Sequence, residues 1–90
     1  MKKDGILVLL RPFTKMQKFY ILKDGEVTFE GHLPLDERLG SEIVEFAAKY
    51  DLPHVTIAGP ASFAESTRKS IMEGAVTKYK NIEVEILSKR

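Results

Sequence analysis

The stretch KFYILKDGEVTFEG, residues 18–31, decides how the rest of the chain is interpreted. Asp24-Gly25 lies between two runs of aromatic and β-branched residues, which predicts a hairpin with a two-residue type I′ turn. That turn sets the pairing of the two strands: Lys23 with Glu26, Leu22 with Val27, Ile21 with Thr28, and Tyr20 with Phe29. Alternation along each strand then places four side chains on one face: Tyr20, Leu22, Val27 and Phe29.

The segments on either side of the hairpin supply further strands and helices. Upstream, Ile6 to Leu10 is apolar at every position, which predicts a central strand covered on both faces. Downstream, apolar residues recur at helical spacing from Leu39 to Tyr50 and again from Phe63 to Tyr79. His54 to Ala58 is predicted to form a short strand between these helices. The segment Ile82 to Ile86 alternates between apolar residues and glutamate, which predicts a last strand with one solvent-exposed face.

The resulting order is β-β-β-α-β-α-β, which predicts one α/β domain over residues 1–90. Both helices are long enough to serve as crossovers between parallel strands. The simplest assembly is a mixed (α+β) five-stranded sheet of order 3-2-1-4-5. The first three strands form an antiparallel meander in it, and the most apolar strand takes the central position.

Polar residues predict where the helices begin. Asp36 and Ser41 are both suitable N-caps for the first helix, and Gly40 favours Ser41. In the second helix, Ser62 and Glu65 have the spacing of a capping box, in which both side chains accept hydrogen bonds from backbone amides.

The corner between the fourth strand and the second helix is a candidate phosphate- or nucleotide-binding loop, centred on Gly59 and Ser62. It follows the carboxyl end of a sheet strand, where ligands often bind. Several features favour a structural corner instead. A capping box occupies the amides that an anion needs, Pro60 has no amide hydrogen, and no P-loop lysine follows Gly59.

The element order resembles that of the ribonuclease H-like superfamily, which includes actin-like ATPase domains and RuvC-type nucleases. In the nucleases, the resemblance implies two metal ions held by acids on the first and fourth strands. Here the first strand is ILVLL and the fourth ends at Gly59, so neither supplies an acid. Arg11-Pro12-Phe13 stands where the actin-like phosphate loop would lie. We therefore expect no catalysis, no metal and no cofactor.

Composition narrows the class of protein further. The 90 residues carry a formal net charge of +1, and 43% of them are hydrophobic, which is typical of an ordinary folded domain. A nucleic-acid-binding domain is usually more basic. The absence of cysteine excludes disulfides and thiolate chemistry. No apolar run has the length of a signal-peptide core or a membrane span, so we expect a cytoplasmic protein without membrane contact.

Two sets of residues are candidate binding surfaces. Arg11, Phe13 and Met16 are the candidate interface for a protein partner, unless Phe13 folds back over the sheet edge. Nucleic acid is the alternative partner, with basic residues as its candidate contacts: Arg11, Lys15, Lys18, Arg68 and Lys69. The last strand offers an edge for a homodimer, unless its glutamates prevent pairing. The leading hypothesis is a non-catalytic interaction or regulatory protein.

Overall fold

Five strands and two helices follow one another in the predicted order. The structure, a computed structural model, describes residues 4–11, 13–34, 38–79 and 81–88, with the backbone alone at residues 77, 78 and 88. The strands are β1 (Gly5–Leu9), β2 (Met16–Lys23), β3 (Glu26–Pro34), β4 (His54–Gly59) and β5 (Glu83–Ser88). The helices are α1 (Leu39–Tyr50) and α2 (Ala61–Lys78).

The sheet has the strand order β3-β2-β1-β4-β5, which confirms the predicted mixed topology. Strands β1, β2 and β3 form the antiparallel meander, and β4 and β5 run parallel to β1. The apolar strand β1 is therefore central, as predicted. The carboxyl ends of β1 and β4 lie side by side at one edge of the sheet.

The turn of the β2–β3 hairpin is confirmed. Asp24 and Gly25 have φ angles of 54° and 80°, and a type I′ turn requires a positive φ at both positions. The two pairs next to the turn have the predicted partners: Lys23 with Glu26, and Leu22 with Val27.

Beyond those two pairs the predicted register is wrong, because β3 contains a bulge. Thr28 is the extra residue, and its hydroxyl donates to the Ile21 carbonyl oxygen at 3.2 Å. The bulge sets Phe29 opposite Ile21 and so moves it to the other face of the sheet. There its ring centroid lies 5.9 Å from that of Phe19 and 6.4 Å from that of Phe46. The bulge thereby adds an aromatic ring to the helix side of the sheet.

Both helices pack on one face of the sheet and form the hydrophobic core with it. Ile6 and Val8 of β1 point to this face and are fully buried. The same buried cluster contains residues of both helices: Ile43, Val44 and Ala47 of α1, and Ala64, Ile71 and Ala75 of α2. Val84 and Ile86 of β5 pack against it while Glu83 and Glu85 are exposed, which confirms the predicted wet face of that strand.

The opposite face, called here the open sheet face, is covered by neither α1 nor α2. Alternation places Leu7 and Leu9 of β1 on it, and both side chains are half-buried. The prediction that this strand is covered on both faces is therefore wrong. Within residues 4–11, 13–34, 38–79 and 81–88, no helix or strand forms a second layer over the hydrophobic side chains of this face.

The prediction that Ser41 is the N-cap of the first helix is wrong, because Ser41 lies inside the helix. The alternative N-cap, Asp36, lies outside the described residues. Helix α1 begins at Leu39, and its N-cap Arg38 makes no capping hydrogen bond with its side chain. Gly40 therefore lies inside the helix. A Cβ atom there would come within 2.3 Å of the Ser70 hydroxyl oxygen, so this glycine allows α1 and α2 to touch.

The predicted capping box of α2 is also wrong. The helix begins at Ala61 after Pro60, so Ser62 is its second residue and caps nothing with its side chain. Glu65 instead pairs with Arg68 one turn later, at 3.2 Å. The Pro60 backbone (φ −59°, ψ 140°) sets the non-helical geometry that an N-cap requires without a polar side chain.

The apolar stripe of α2 is confirmed at its centre and wrong at its flanks. Ala64, Ile71 and Ala75 are buried, but Phe63 and Met72 are 39% and 40% exposed. A helix on one face of a sheet buries a stripe only about 100° wide, and these two positions lie at its sides.

One hydrogen bond joins the carboxyl ends of the two helices. The Tyr79 hydroxyl donates to Asp51 Oδ1 at 2.8 Å. This bond raises the pKa of Tyr79 because the carboxylate favours the protonated phenol. Its contribution to stability is therefore complete at neutral pH and is lost as the pH rises above the phenol's range.

Candidate partner-binding loop

The loop between β1 and β2 leaves the sheet where β1 and β4 end. Leu10 extends the pairing beyond β1, because its amide donates to the Ala58 carbonyl oxygen at 2.8 Å. The loop that follows therefore begins beside the turn from β4 into α2. Its described residues are called here the Phe13 loop: Arg11, Phe13, Thr14, Lys15 and Met16.

The side chain of Gln17 makes hydrogen bonds to the backbone of this loop. Gln17 is the second residue of β2, and only 1% of it is exposed. Its Nε2 donates to the carbonyl oxygens of Arg11 at 3.0 Å and Thr14 at 2.9 Å. Its Oε1 accepts a hydrogen bond from the Arg11 amide. One buried amide thus fixes both ends of a tight turn, using its donor and acceptor groups together.

Thr14 adds hydrogen bonds to the same turn through its backbone amide and its hydroxyl. Its backbone amide donates to the Arg11 carbonyl oxygen at 3.2 Å, three residues earlier in the chain. Its hydroxyl lies 3.0 Å from the same oxygen and 3.2 Å from the Met16 carbonyl oxygen. Hydrogen bonds from side chains as well as from the backbone therefore hold the loop together.

The apolar side chains of the loop point into solvent. Phe13 is 99% exposed and Met16 is 47% exposed. Phe13 therefore does not fold back over the sheet edge. Leaving a phenylalanine in water forgoes about 2 kcal/mol of burial free energy, so an ordered loop that does so is unusual.

The loop carries positive charge and no acid between residues 11 and 16. Arg11 and Lys15 are both exposed beside Phe13. An aromatic side chain flanked by cations is a suitable centre for an interface with an acidic rim.

The other basic candidates for nucleic-acid binding lie on different elements. Lys18 lies on β2, where its Nζ is 3.3 Å from a Glu30 carboxylate oxygen. Arg68 lies on α2 and pairs with Glu65, and the exposed Lys69 follows it. Only two of the five candidate cations, Arg11 and Lys15, belong to the Phe13 loop. Two of the other three, Lys18 and Arg68, already have carboxylate partners.

In the candidate anion loop, close packing accounts for the glycine at position 59, and Ser62 lies on the protein surface. A Cβ atom on Gly59 would lie 2.8 Å from Leu10 Cβ, so glycine permits the close approach of β4 to the end of β1. Ser62 is exposed on the first turn of α2. The first backbone hydrogen bond of that helix runs from Ala64 to the Pro60 carbonyl oxygen, at 2.9 Å.

Two substitutions test this description of the corner. We expect Ser62→Ala to change the free energy of unfolding by less than about 0.5 kcal/mol, since its hydroxyl caps no amide. We expect Gly59→Ala to cost about 1–3 kcal/mol, because the added methyl group meets Leu10. Urea denaturation measures both values. A loss of about 1 kcal/mol in Ser62→Ala is the signature of a functioning cap and contradicts the expectation.

Sequence reasoning found the exposed residues of the loop but missed Gln17. The available signal was its position: it shares the alternation of Phe19 and Ile21, both of which are buried. A polar residue at a core-facing position directly after a turn indicates a side chain that bonds the turn's backbone.

No protein-family model matches the chain, and no curated protein sequence is significantly similar to it. Across residues 4–11, 13–34, 38–79 and 81–88, no three histidine, aspartate or glutamate side chains gather as metal ligands would. In the same part of the chain, neither helix has the length and apolar composition needed to cross a membrane.

Proposed function

We propose that the protein is a non-catalytic binding module whose Phe13 loop inserts into a pocket of another protein. The observation that carries this proposal is the 99% exposure of Phe13 on a turn fixed by buried Gln17. A loop whose backbone is already fixed by Gln17 loses less conformational entropy on association than a mobile loop does. Aromatic anchors of this kind contribute most of the binding energy in many interfaces.

The chemistry of the loop defines the partner surface. Phe13 and Met16 require an apolar pocket, and Arg11 and Lys15 favour carboxylates around its rim. The partner is therefore a folded protein with a hydrophobic pocket bordered by acids. Nucleic acid fits less well, because Lys18 and Arg68 lie outside the Phe13 loop and are already paired with carboxylates.

We further propose that the scaffold belongs to the ribonuclease H-like superfamily. The order β-β-β-α-β-α-β and the sheet β3-β2-β1-β4-β5 support this assignment. Two positions that bear metal-binding acids in the superfamily's nucleases lack them here, since β1 is GILVL and β4 ends at Gly59. These departures support a scaffold used for recognition.

Phe13→Asp tests the proposed function against a matched control. Val76→Asp introduces the same charge at another exposed apolar side chain, which is 66% exposed on α2. Both variants should keep the wild-type melting temperature, because neither side chain is in the core. Tagged proteins are incubated with an extract of the source organism, and the captured proteins are identified by mass spectrometry.

We expect wild type and Val76→Asp to retain a common partner that Phe13→Asp loses, with binding weakened at least about 30-fold. Identical captured proteins for all three contradict the proposal. Unfolding of Phe13→Asp, shown by circular dichroism, also contradicts it, because Phe13 is then part of the core.

A further inference from the structure

Cross-strand pairing arranges the open sheet face as three rows of side chains. From β3 to β5 the rows are His32-Lys18-Leu9-Ala58-Leu87, Glu30-Tyr20-Leu7-Thr56-Glu85 and Val27-Leu22-Gly5-His54-Glu83. Side chains in one row point the same way, because paired residues share a face. The rows therefore show which chemical groups adjoin one another on this surface.

The apolar side chains of the three rows form a band from one corner to the other, called here the apolar diagonal: Val27, Leu22, Tyr20, Leu7, Leu9 and Leu87. Its ends are the most exposed, with Val27 at 57% and Leu87 at 49%. In its middle, Tyr20, Leu7 and Leu9 are half-buried and Leu22 is buried. A continuous apolar band across a whole sheet face is typical of a contact surface.

The two corners beside the apolar diagonal differ in charge. One corner, on β4 and β5, holds two carboxylates, Glu83 and Glu85, with one imidazole: His54 Nδ1 lies 3.2 Å from Glu83. The other corner, on β2 and β3, holds the Lys18 ammonium and the His32 imidazole with a single carboxylate, Glu30. The first corner is therefore more acidic than the second.

We propose that the open sheet face binds a second copy of this chain, so that the protein is a symmetric homodimer. A two-fold axis along the apolar diagonal sets this band against itself. It also sets the acidic corner of each copy against the Lys18 corner of the other. A symmetric interface must be self-complementary in this way, and a face with one acidic and one more basic corner meets that condition.

The same rotation also fixes which residues meet near the axis. Tyr20 comes to lie near Gly5 of the second copy, which has no side chain and stands between Leu22 and His54 in its row. The strands of the two sheets then cross at a steep angle, which is one of the two ways in which β-sheets pack face to face. Lys18 comes to lie beside the His54–Glu83 pair of the second copy.

The face is large enough for such a dimer. With strands about 4.8 Å apart and rows about 6.7 Å apart, it measures about 24 Å by 20 Å. Two copies together then bury about 1,000 Å², the size at which specific interfaces begin. The dimer is expected to dissociate in the micromolar range, since small interfaces are usually weak.

Analytical ultracentrifugation of the purified full chain tests the proposal. We expect wild type to sediment at about 100 µM with twice the mass of the 10.2 kDa chain. Leu7→Lys places a charge at the centre of the apolar diagonal and should weaken the dimer at least about 100-fold. Phe13→Asp should leave the dimer intact, which separates this proposal from the proposed function of the Phe13 loop.

Charge reversal provides a second test that does not alter the apolar residues. Lys18→Glu and Glu83→Lys should each weaken self-association about tenfold or more, because like charges then face each other at both corners. An equimolar mixture of the two variants should associate again, since each now carries the charge that the other lacks. Glu83 is exposed and the side chain of Lys18 is 38% exposed, so neither substitution buries a charge and folding should be unaffected.

A monomeric wild type at about 100 µM overturns the proposal. A dimer that survives both Leu7→Lys and charge reversal also overturns it, because the contact then lies elsewhere, for instance along the β5 edge. If Leu7→Lys fails to fold, the mixture of Lys18→Glu and Glu83→Lys decides alone. Recovery of the dimer in that mixture supports the proposal, and its absence contradicts it.

Discussion

Gln17→Leu is expected to lower the free energy of unfolding by about 2–4 kcal/mol. The leucine fills similar space but removes the groups that bond Arg11 and Thr14. Each buried backbone group left without a partner costs about 1–3 kcal/mol, reduced here because the loop is only partly buried. Urea denaturation measures the loss, and hydrogen exchange at the Arg11 amide should accelerate in the variant.

Gln17→Glu is the matched control for this prediction. It keeps the shape of the side chain and its acceptor oxygen but brings a carboxylate against two carbonyl oxygens. The folded protein therefore binds a proton at this group more tightly than the unfolded chain, so the variant should gain stability relative to wild type as the pH falls. Gln17→Leu should show no such recovery. Wild-type stability in both variants contradicts the role of Gln17 as the support of the Phe13 loop.

Gly40→Ala is expected to cost about 2–3 kcal/mol, although alanine is the better helix former. A Cβ atom at this position would lie 2.3 Å from the Ser70 hydroxyl oxygen and 2.7 Å from the Ser70 carbonyl carbon. The hydroxyl can rotate away, but the backbone cannot, so α1 and α2 must separate. Urea denaturation again measures the loss.

Gly74→Ala makes the same change at the same pair of helices with the opposite expected sign. The nearest atom to a Cβ there is Val44 Cγ2 at 3.4 Å, which is ordinary van der Waals contact. We expect the variant to gain about 0.5–1 kcal/mol, because alanine restricts the unfolded chain and favours the helix. Equal losses in the two variants contradict the close contact of the helices at Gly40.

The strand order could be predicted because local signals and chain connectivity agree. Asp24-Gly25 fixes the hairpin, and the apolar β1 indicates the central position. The bulge at Thr28 could not be predicted, because one inserted residue leaves the local composition unchanged. The run Ile6 to Leu10 was also ambiguous, since an apolar strand looks the same whether its second face meets a helix or another molecule.

The candidate site was predictable in part. Aromatic and basic residues between two strands indicated the exposed surface, but Phe13 alone in a sequence does not reveal whether it is exposed. The support by Gln17 depends on a side chain reaching back six residues to Arg11, which sequence periodicity does not encode. The predicted starts of both helices are wrong for a related reason. Helices α1 and α2 begin where tertiary packing and Pro60 allow, without the capping residues that the sequence patterns indicated.

The central claim is that Phe13 is the residue that contacts a partner. The most direct measurement replaces it with the photo-crosslinking amino acid p-benzoylphenylalanine in cells of the source organism. The same amino acid at Val76, which is also exposed, serves as the control. Irradiation should join position 13 to a discrete protein that position 76 does not capture, and Gln17→Leu should reduce the yield. No adduct at position 13, or the same adducts from both positions, contradicts the claim.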